Sequence, residues 1–451
     1  MSPSGLHVRS RRSQYSIRTV SLTPAGVSTN LVIDFLVDDM VKGSIDGFEC
    51  IDAFGNKVKV FLDIMGFIGD YPAVSAVVDI SGHNSTAPCT HCGFVFNKSA
   101  GMPVYAYTTS VTSRHSSYWR TQESTASLRA TGLSADALKM LGMKKLQYEE
   151  LVHSNACPIF KFAAHYNTTL EFHCNPPSFS SSRKDGYSLN LIAPDHLFTG
   201  LFKGLLTITF IQLQDDDARD KLQIYLVVLL GEFGYQSQST LFKKKKKKLV
   251  PGLSMSMLYA ILIVLPTSLK ALDLLDSHPA KRLIINFHRM FSFAFWWPSF
   301  SHDGHSAWKL VNDSHMGMYH RMLQILAANF VKAVNEYNKS YPGLAVHVDK
   351  PNIHRVLELF QHTVPLFNHL VFICELVFES AHQPLKYFLS RNHTLGSHIY
   401  AVQLVLAKDW LVRLSCLWNI YRDINETTSD RHHAFMGLVM LLAGRNTPSV
   451  D

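Results

Sequence analysis

Residues 58–73 read Val58-Lys59-Val60-Phe61-Leu62-Asp63-Ile64-Met65-Gly66-Phe67-Ile68-Gly69-Asp70-Tyr71-Pro72-Ala73. Branched and aromatic side chains favour pleated backbone, whereas Gly, Asp and Pro favour turns. The pattern predicts a strand with Asp70 at its exit. Upstream, Gly47-Phe48-Glu49-Cys50-Ile51-Asp52-Ala53-Phe54 precedes Gly55-Asn56, and the alternation on either side of that pair predicts a β-hairpin whose second strand runs on toward Asp70. Farther upstream, Leu31 to Val37 form an apolar segment ending in Asp38 and Asp39, consistent with a strand or a short helix. A carboxylate at the exit of a core strand is where phosphodiester-cleaving sites hold divalent metal. A Gly-Asp-x-Pro sequence is equally a plain structural turn.

Downstream the texture changes twice. Residues 81–182 are rich in Ser, Thr, Asn, Pro, His and Cys, the composition of an irregular module that needs a staple. From Asp185 onward apolar residues recur at spacings of three and four over 195–211, 219–233, 253–275, 316–337, 351–361, 365–381, 397–423 and 430–444, which predicts helices. The expected organisation is an N-terminal segment with strands (1–80), a Cys/His insertion (81–182), a helical insertion (183–345) and a C-terminal helical part (346–451).

Composition sets the outer limits. The chain has 451 residues, of which 47% are hydrophobic and 17% charged. The usual charged fraction is roughly 25%, so much of the chain is expected inside a large helical body, and disorder or a fibrous repeat is excluded. The longest apolar stretch, Ser256 to Leu275, is interrupted by Pro266, Lys270 and Asp273. It therefore reads as a buried helix pair rather than a membrane span, which needs about 20 mostly apolar residues. The first thirty residues hold Arg9, Arg11, Arg12 and Arg18 without an apolar run after them, so no secretory signal is expected. Seven scattered cysteines do not form a disulfide framework and favour a reducing compartment. The net charge of +8 agrees with a polyanionic partner such as DNA. Six consecutive lysines, Lys243 to Lys248, form either a solvated loop or a phosphate contact.

Three groups of residues bear on chemistry. Cys89-Thr90-His91-Cys92 has the C-x-x-C spacing that offers two thiolates to one tetrahedral zinc from a tight turn. Two ligands are half a site, and His83, His91, Cys157, His165, His173, Cys174 and His196 are the candidate partners; two ordinary thiols or a redox pair are the alternatives. Glu375, Glu379 and His382 fall at i, i+4 and i+7 on an otherwise apolar segment. Such carboxylates need a metal, solvent or a cation, and a salt bridge to Lys386 is the plain alternative. Phe291, Phe293, Phe295, Trp296 and Trp297 are expected to pack in a core rather than stack on unpaired bases.

Taken in order, Gly69-Asp70-Tyr71-Pro72-Ala73, Gly82-His83-Asn84 through Pro88-Cys89-Thr90-His91-Cys92, Ala193-Pro194-Asp195-His196-Leu197-Phe198, and Glu379 seven residues before Lys386 resemble the catalytic half of CACTA-type (En/Spm-like) DNA transposases and their Kyakuja, Dileera and Zisupton relatives. The resemblance spans residues 55–395. It implies a partial RNase H-like α/β core in which two aspartates and a glutamate hold two Mg²⁺ for DNA cleavage and strand transfer. By position Asp70 matches the second aspartate and Glu379 the final glutamate, with Glu375 as fallback. Cys89 and Cys92 match the family's cysteine pair and His196 its downstream histidine, implying a structural Zn²⁺. Transposon-end DNA, a homo-oligomer and a nuclear location, or a cytoplasmic one if targeting is lost, follow from the same resemblance. The strand bearing the first aspartate has no counterpart, and Asp34, Asp38 and Asp39 lack its context. The expectation is thus a truncated or domesticated copy with an incomplete active site. The alternative is a noncatalytic, zinc-stapled helical protein that binds DNA or protein through basic loops.

Overall fold

The computed structural model describes residues 29–51, 55–61, 67–77, 89, 190–213, 215–235, 240–243, 247–296, 313–348, 351–364 and 370. The chain divides into two compact units, one of Met1–Met65, Pro158–Cys174 and Leu376–Asp451, the other of Gly66–Cys157 and Asn175–Glu375. The described residues are mostly helical, with small two-stranded sheets.

In the first unit, helix α1 (Thr29–Ile45) precedes strands β1 (Phe48–Ile51) and β2 (Lys57–Val60). The strands pair antiparallel with Phe48 opposite Val60 and Ile51 opposite Lys57, as the Gly55-Asn56 signal predicts. Gly55 has φ 84°, a left-handed conformation open to glycine without a Cβ penalty.

The expected continuation of β2 to Asp70 does not occur. β2 ends at Val60, and a separate strand β3 (Phe67–Gly69) in the second unit leads into Asp70. β3 pairs in parallel with β4 (Asn190–Ile192), Gly69 lying opposite Ile192. The partners explain the division: β2 is exposed throughout, whereas Ile68 of β3 packs against the helical core and Ile192 is fully buried. The two strands do not share an environment. Short helix α2 (Tyr71–Val77) leaves β3, and α3 (Pro194–Gln212) leaves β4.

The second unit is built on α3, α4 (Asp216–Glu232), α5 (Met255–Ala271), α6 (Lys281–Trp296), α7 (Asp313–Ser340) and α8 (Pro351–Glu358), with the hairpin strands β5 (Phe242–Lys243) and β6 (Lys248–Leu249) between α4 and α5. Local sequence sets the helix starts. Asp215 accepts a hydrogen bond from Asp217 N at 3.0 Å and Ser254 from Met257 N at 3.2 Å, so side-chain oxygens satisfy amides the helices leave orphaned. Pro194 and Pro351 occupy first-turn positions, where a missing N–H costs nothing.

Residues 255–271 form one helix rather than the expected pair, continuing through Pro266. Proline deprives the Leu262 carbonyl of its helical donor, yet Leu258, Ile261, Leu262, Leu265 and Leu269 on both sides of it are all buried. At about 1.5–3 kcal/mol for each such side chain, burial outweighs one missing hydrogen bond. Among the described residues no helix is long and apolar enough to cross a membrane.

α6 is a helix that the sequence pattern does not predict, because its phenylalanines stand out more than its period. Phe287 and Phe291 are fully buried, and Phe293 meets Tyr319 of α7 at 5.6 Å between ring centroids. Phe291, Phe293 and Phe295 of the aromatic cluster pack in or against the core, and Phe291 presents no ring face to a base. The Trp296 side chain and Trp297 lie outside what is described. Phe198 of α3 is the hub: it stacks on Tyr259 at 4.2 Å and Phe202 at 5.3 Å, and meets Phe291 edge-on at 5.2 Å.

Candidate metal centre

Cys89 and the Gly69-Asp70-Tyr71-Pro72 turn both meet one short helix that lies far from them in sequence. α8 has Pro351-Asn352-Ile353-His354-Arg355-Val356-Leu357-Glu358, with His354 and Glu358 spaced i, i+4, hence on one face. Residues 353–358 are all buried. α8 lies close against α3: a Cβ added at Gly200 of α3 would sit 2.6 Å from Asn352 Nδ2, so a larger residue there would make the Asn352 side chain turn aside.

Cys89 reaches this face from 269 positions earlier in the chain. Its Sγ lies 3.1 Å and 3.3 Å from the two carboxylate oxygens of Glu358, and His354 Nε2 lies 3.2 Å from Glu358 Oε1. One ligand atom from each of the three residues falls within 4.8 Å of the others. All are buried, Cys89 at 2% exposure, His354 at 4% and Glu358 at 1%. A buried carboxylate is costly unless paired and hydrogen-bonded. Here the thiol donates to it and the imidazolium faces it. Burial by itself would lower the His354 pKa, but the Glu358 carboxylate and the Cys89 sulfur together outweigh it and push the pKa up to about 9.

The donor set discriminates between ions. A thiolate, an imidazole nitrogen and a carboxylate oxygen suit Zn²⁺, whereas Mg²⁺ takes oxygen ligands and keeps several waters. Loss of the thiol and imidazole protons would leave two negative charges, one on sulfur and one on Glu358, to balance a divalent cation. The three residues therefore fit a zinc-type ion. They do not fit the Mg²⁺ pair of a DDE site.

An adjoining side of α8 meets the Gly-Asp-x-Pro turn through Arg355. The Arg355 guanidinium lies 4.3 Å from the Tyr71 ring centroid, a cation–π contact, while its Nε and Nη2 have no hydrogen-bond partner among the described residues. Asp70 itself is exposed and acts as an N-cap, its Oδ1 accepting from Ala73 N at 2.9 Å. Asp70→Ala is expected to lower stability by about 1 kcal/mol with no change in metal content, checked by urea unfolding and metal analysis; Asp70→Asn, which retains the cap, should cost less.

Of the metal ligands expected from sequence, Cys89 is in the donor group, Cys92 lies outside the described residues, and His196 is half-buried in the first turn of α3 and is not one of the three clustered donors. Its neighbour Asp195 is fully buried, its Oδ1 accepting from Tyr259 Oη at 2.6 Å. Glu375, Glu379 and His382 lie outside the described residues, as do the remaining Cys and His candidates. His354 and Glu358 are donors that sequence reasoning misses. Their i, i+4 spacing on a helix that opens with Pro-Asn is the available signal, and a rule that looks for a second pair of cysteines or histidines passes over it.

The chain matches no protein-family model, no curated protein and no solved structure. Function must therefore be argued from the geometry and the sequence motifs.

A pH dependence follows from two buried histidines. His354, raised, contributes stability that is full below its unfolded pKa of 6.5 and is lost as pH rises toward about 9. His278 is lowered by burial, against the opposing effect of its hydrogen bond to the Thr209 carbonyl. Its Nε2 lies 3.0 Å from that oxygen while Nδ1 accepts from Ala280 N at 3.1 Å, an arrangement that uses the neutral ring. Its contribution is present above 6.5 and lost as pH falls through the folded value. The contributions of these two histidines to the metal-free fold are jointly largest near pH 6.5, and zinc affinity should rise with pH as the His354 and Cys89 protons are displaced. Thermal melts from acidic to mildly alkaline pH, with and without chelator, check both.

Proposed function

We propose that this chain is a protein of DNA-transposon ancestry, similar to CACTA-type transposases, in which a structural zinc staple is retained and DDE catalysis is not. The observation that carries the reading is the buried convergence of Cys89 with His354 and Glu358 across 269 residues of chain. The C-x-x-C spacing in the sequence makes Cys92 the candidate for the fourth donor of a tetrahedral site. When bound, the ion closes this long loop and neutralises the buried thiolate and carboxylate. The docking of Cys89 against α8 is then linked to metal occupancy.

The ancestry is supported by a second juxtaposition. Parallel pairing of β3 with β4 puts the Gly69-Asp70-Tyr71-Pro72 and Ala193-Pro194-Asp195-His196 motifs at neighbouring strand exits, although they lie far apart in the chain. The inactivity rests on the sequence, in which Asp34, Asp38 and Asp39 lack the context of the family's first aspartate. Asp70 and Glu379, or Glu375, are the ancestral Mg²⁺ ligands in this reading. DNA remains the partner, and the nucleus the compartment.

Metal analysis of the purified full-length chain tests the staple: one zinc per chain is expected, lost in Cys89→Ser. A nicking assay on supercoiled DNA with Mg²⁺ or Mn²⁺ tests the inactivity. Cleavage abolished by Asp70→Asn would contradict it, and no cleavage is expected.

A further inference from the structure

We infer that Arg355 of α8 and Ser75 of α2 form a buried site for one small oxyanion, a free phosphate or carboxylate gripped by the guanidinium edge and the serine hydroxyl. Arg355 is 4% exposed and Ser75 2%. Among the described residues neither group is satisfied: Arg355 Nε and Nη2 and Ser75 Oγ have no hydrogen-bond partner, and Arg355 enters no salt bridge. Buried polar side chains are paired in the great majority of cases. A serine inside a helix can donate to the carbonyl one turn back, as Ser268 does to Val264 at 2.8 Å. Ser75 does not.

Both groups adjoin Tyr71. The Arg355 guanidinium lies 4.3 Å from the Tyr71 ring centroid, while Tyr71 and Ser75 stand at i and i+4 of α2, on one face of that helix. The ring attracts the cation but carries no counter-charge. Nor does the Cys89, His354 and Glu358 group supply one. Without metal, protonated His354 balances Glu358; with a divalent ion, the Cys89 thiolate and Glu358 balance the metal. In both states the charge of Arg355 is left over. An arginine does not escape burial by losing its proton, and a buried charge without a counter-charge is strongly unfavourable. A bound anion supplies the balance.

The donors fix the chemistry of the ligand. Nε and Nη2 lie on one edge of the guanidinium, spaced to donate to two oxygens of the same group, which is the bidentate grip that arginine gives carboxylates and phosphates. The serine hydroxyl adds one further donor. Burial fixes the size. A phosphate within a nucleic acid or a lipid headgroup would have to bring its chain to a guanidinium that is only 4% exposed, so the ligand is a small free anion. The site rests on neither the zinc staple nor the transposon ancestry.

Isothermal titration of the full-length protein with sodium phosphate and, separately, with sodium acetate, at an ionic strength held constant with NaCl, tests the site. One saturable site per chain is expected for at least one of the two probes. Binding of phosphate alone identifies a free phosphate as the ligand, and binding of acetate alone a carboxylate. Arg355→Lys keeps the charge without the two-donor edge and should bind about tenfold or more weakly. Ser75→Ala should weaken binding by about tenfold, the effect of one hydrogen bond to a charged group. Arg355→Met should abolish saturable binding and, without anion, melt no lower than the wild type, because it removes a buried charge that has no counter-charge. If Arg355→Met does not fold, Ser75→Ala decides alone, since it deletes only an unpaired hydroxyl. A wild type that binds neither probe overturns the site, as it would if a carboxylate of this chain pairs with Arg355; so does binding that Ser75→Ala and Arg355→Lys leave unchanged. Zinc content of the same variants should match the wild type, because neither residue is one of the donors.

Discussion

His354→Ala is expected to yield a chain that binds no stoichiometric zinc and is less stable by about 3–5 kcal/mol, the cost of stranding a buried charge whose partner has been removed. The stranded group is Glu358, 1% exposed and 3.2 Å from the imidazole it would lose. The size of the effect comes from the carboxylate's desolvation more than from the bond itself. Glu358→Gln separates the two contributions. Its amide has nearly the same shape and no charge, so the variant should fold with a smaller penalty while still losing zinc. Metal analysis and urea unfolding of both variants check this. Equal penalties for the two would mean that shape, not charge, dominates the site.

Phe198→Ala is expected to cost a similar amount, about 3–5 kcal/mol, for a different reason: truncating a core phenylalanine forfeits its transfer free energy and leaves a cavity. The ring is fully buried. It also stacks on Tyr259 at 4.2 Å, and Tyr259 is the donor that holds the buried Asp195 carboxylate. The penalty should therefore exceed that of Phe210→Ala, whose ring stacks only on Phe242 among the aromatic side chains described. Urea denaturation of the two variants gives the comparison. Zinc content should be unaffected in both, because neither residue is one of the donors.

How much of the fold is legible in the sequence follows from the range of the interactions involved. Helices such as α3 and α7 are foreseen from their apolar spacing, because a helix that buries one face writes that face into nearby residues. The β1–β2 hairpin is legible in the same way, its turn fixed by Gly55-Asn56. α6 is not, since its phenylalanines at 287, 291, 293 and 295 draw attention as a cluster before they register as two sides of a helix. The strand leading to Asp70 is foreseen, but its partner is not. β3 pairs with β4 from a distant part of the chain, and such short strands carry too little pattern to name a partner.

The site shows the same division. Cys89 is singled out by the C-x-x-C spacing alone, and it lies in a buried group that could hold a metal. Its neighbours there cannot be inferred from sequence, because they come from a helix 269 positions away and one is a glutamate, a residue ordinarily read as surface charge. Only the burial of Glu358 distinguishes it from an exposed i, i+4 partner of His354, and burial is a property of the folded chain. His196 is the nearer candidate in sequence, but α3 directs Asp195, not His196, into full burial at that turn, where Tyr259 donates to it. Asp70 is foreseen at a strand exit, and its capping bond to Ala73 N is what a Gly-Asp-x-Pro turn does by itself.

The most direct test of the zinc staple is X-ray absorption at the zinc edge on the purified full-length protein. A mixed first shell is expected, with sulfur near about 2.3 Å and nitrogen or oxygen near about 2.0–2.1 Å, approximately two of each, losing one sulfur or the whole signal in Cys89→Ser. An all-nitrogen-and-oxygen shell, or a protein that carries no zinc when prepared without chelator, would contradict it.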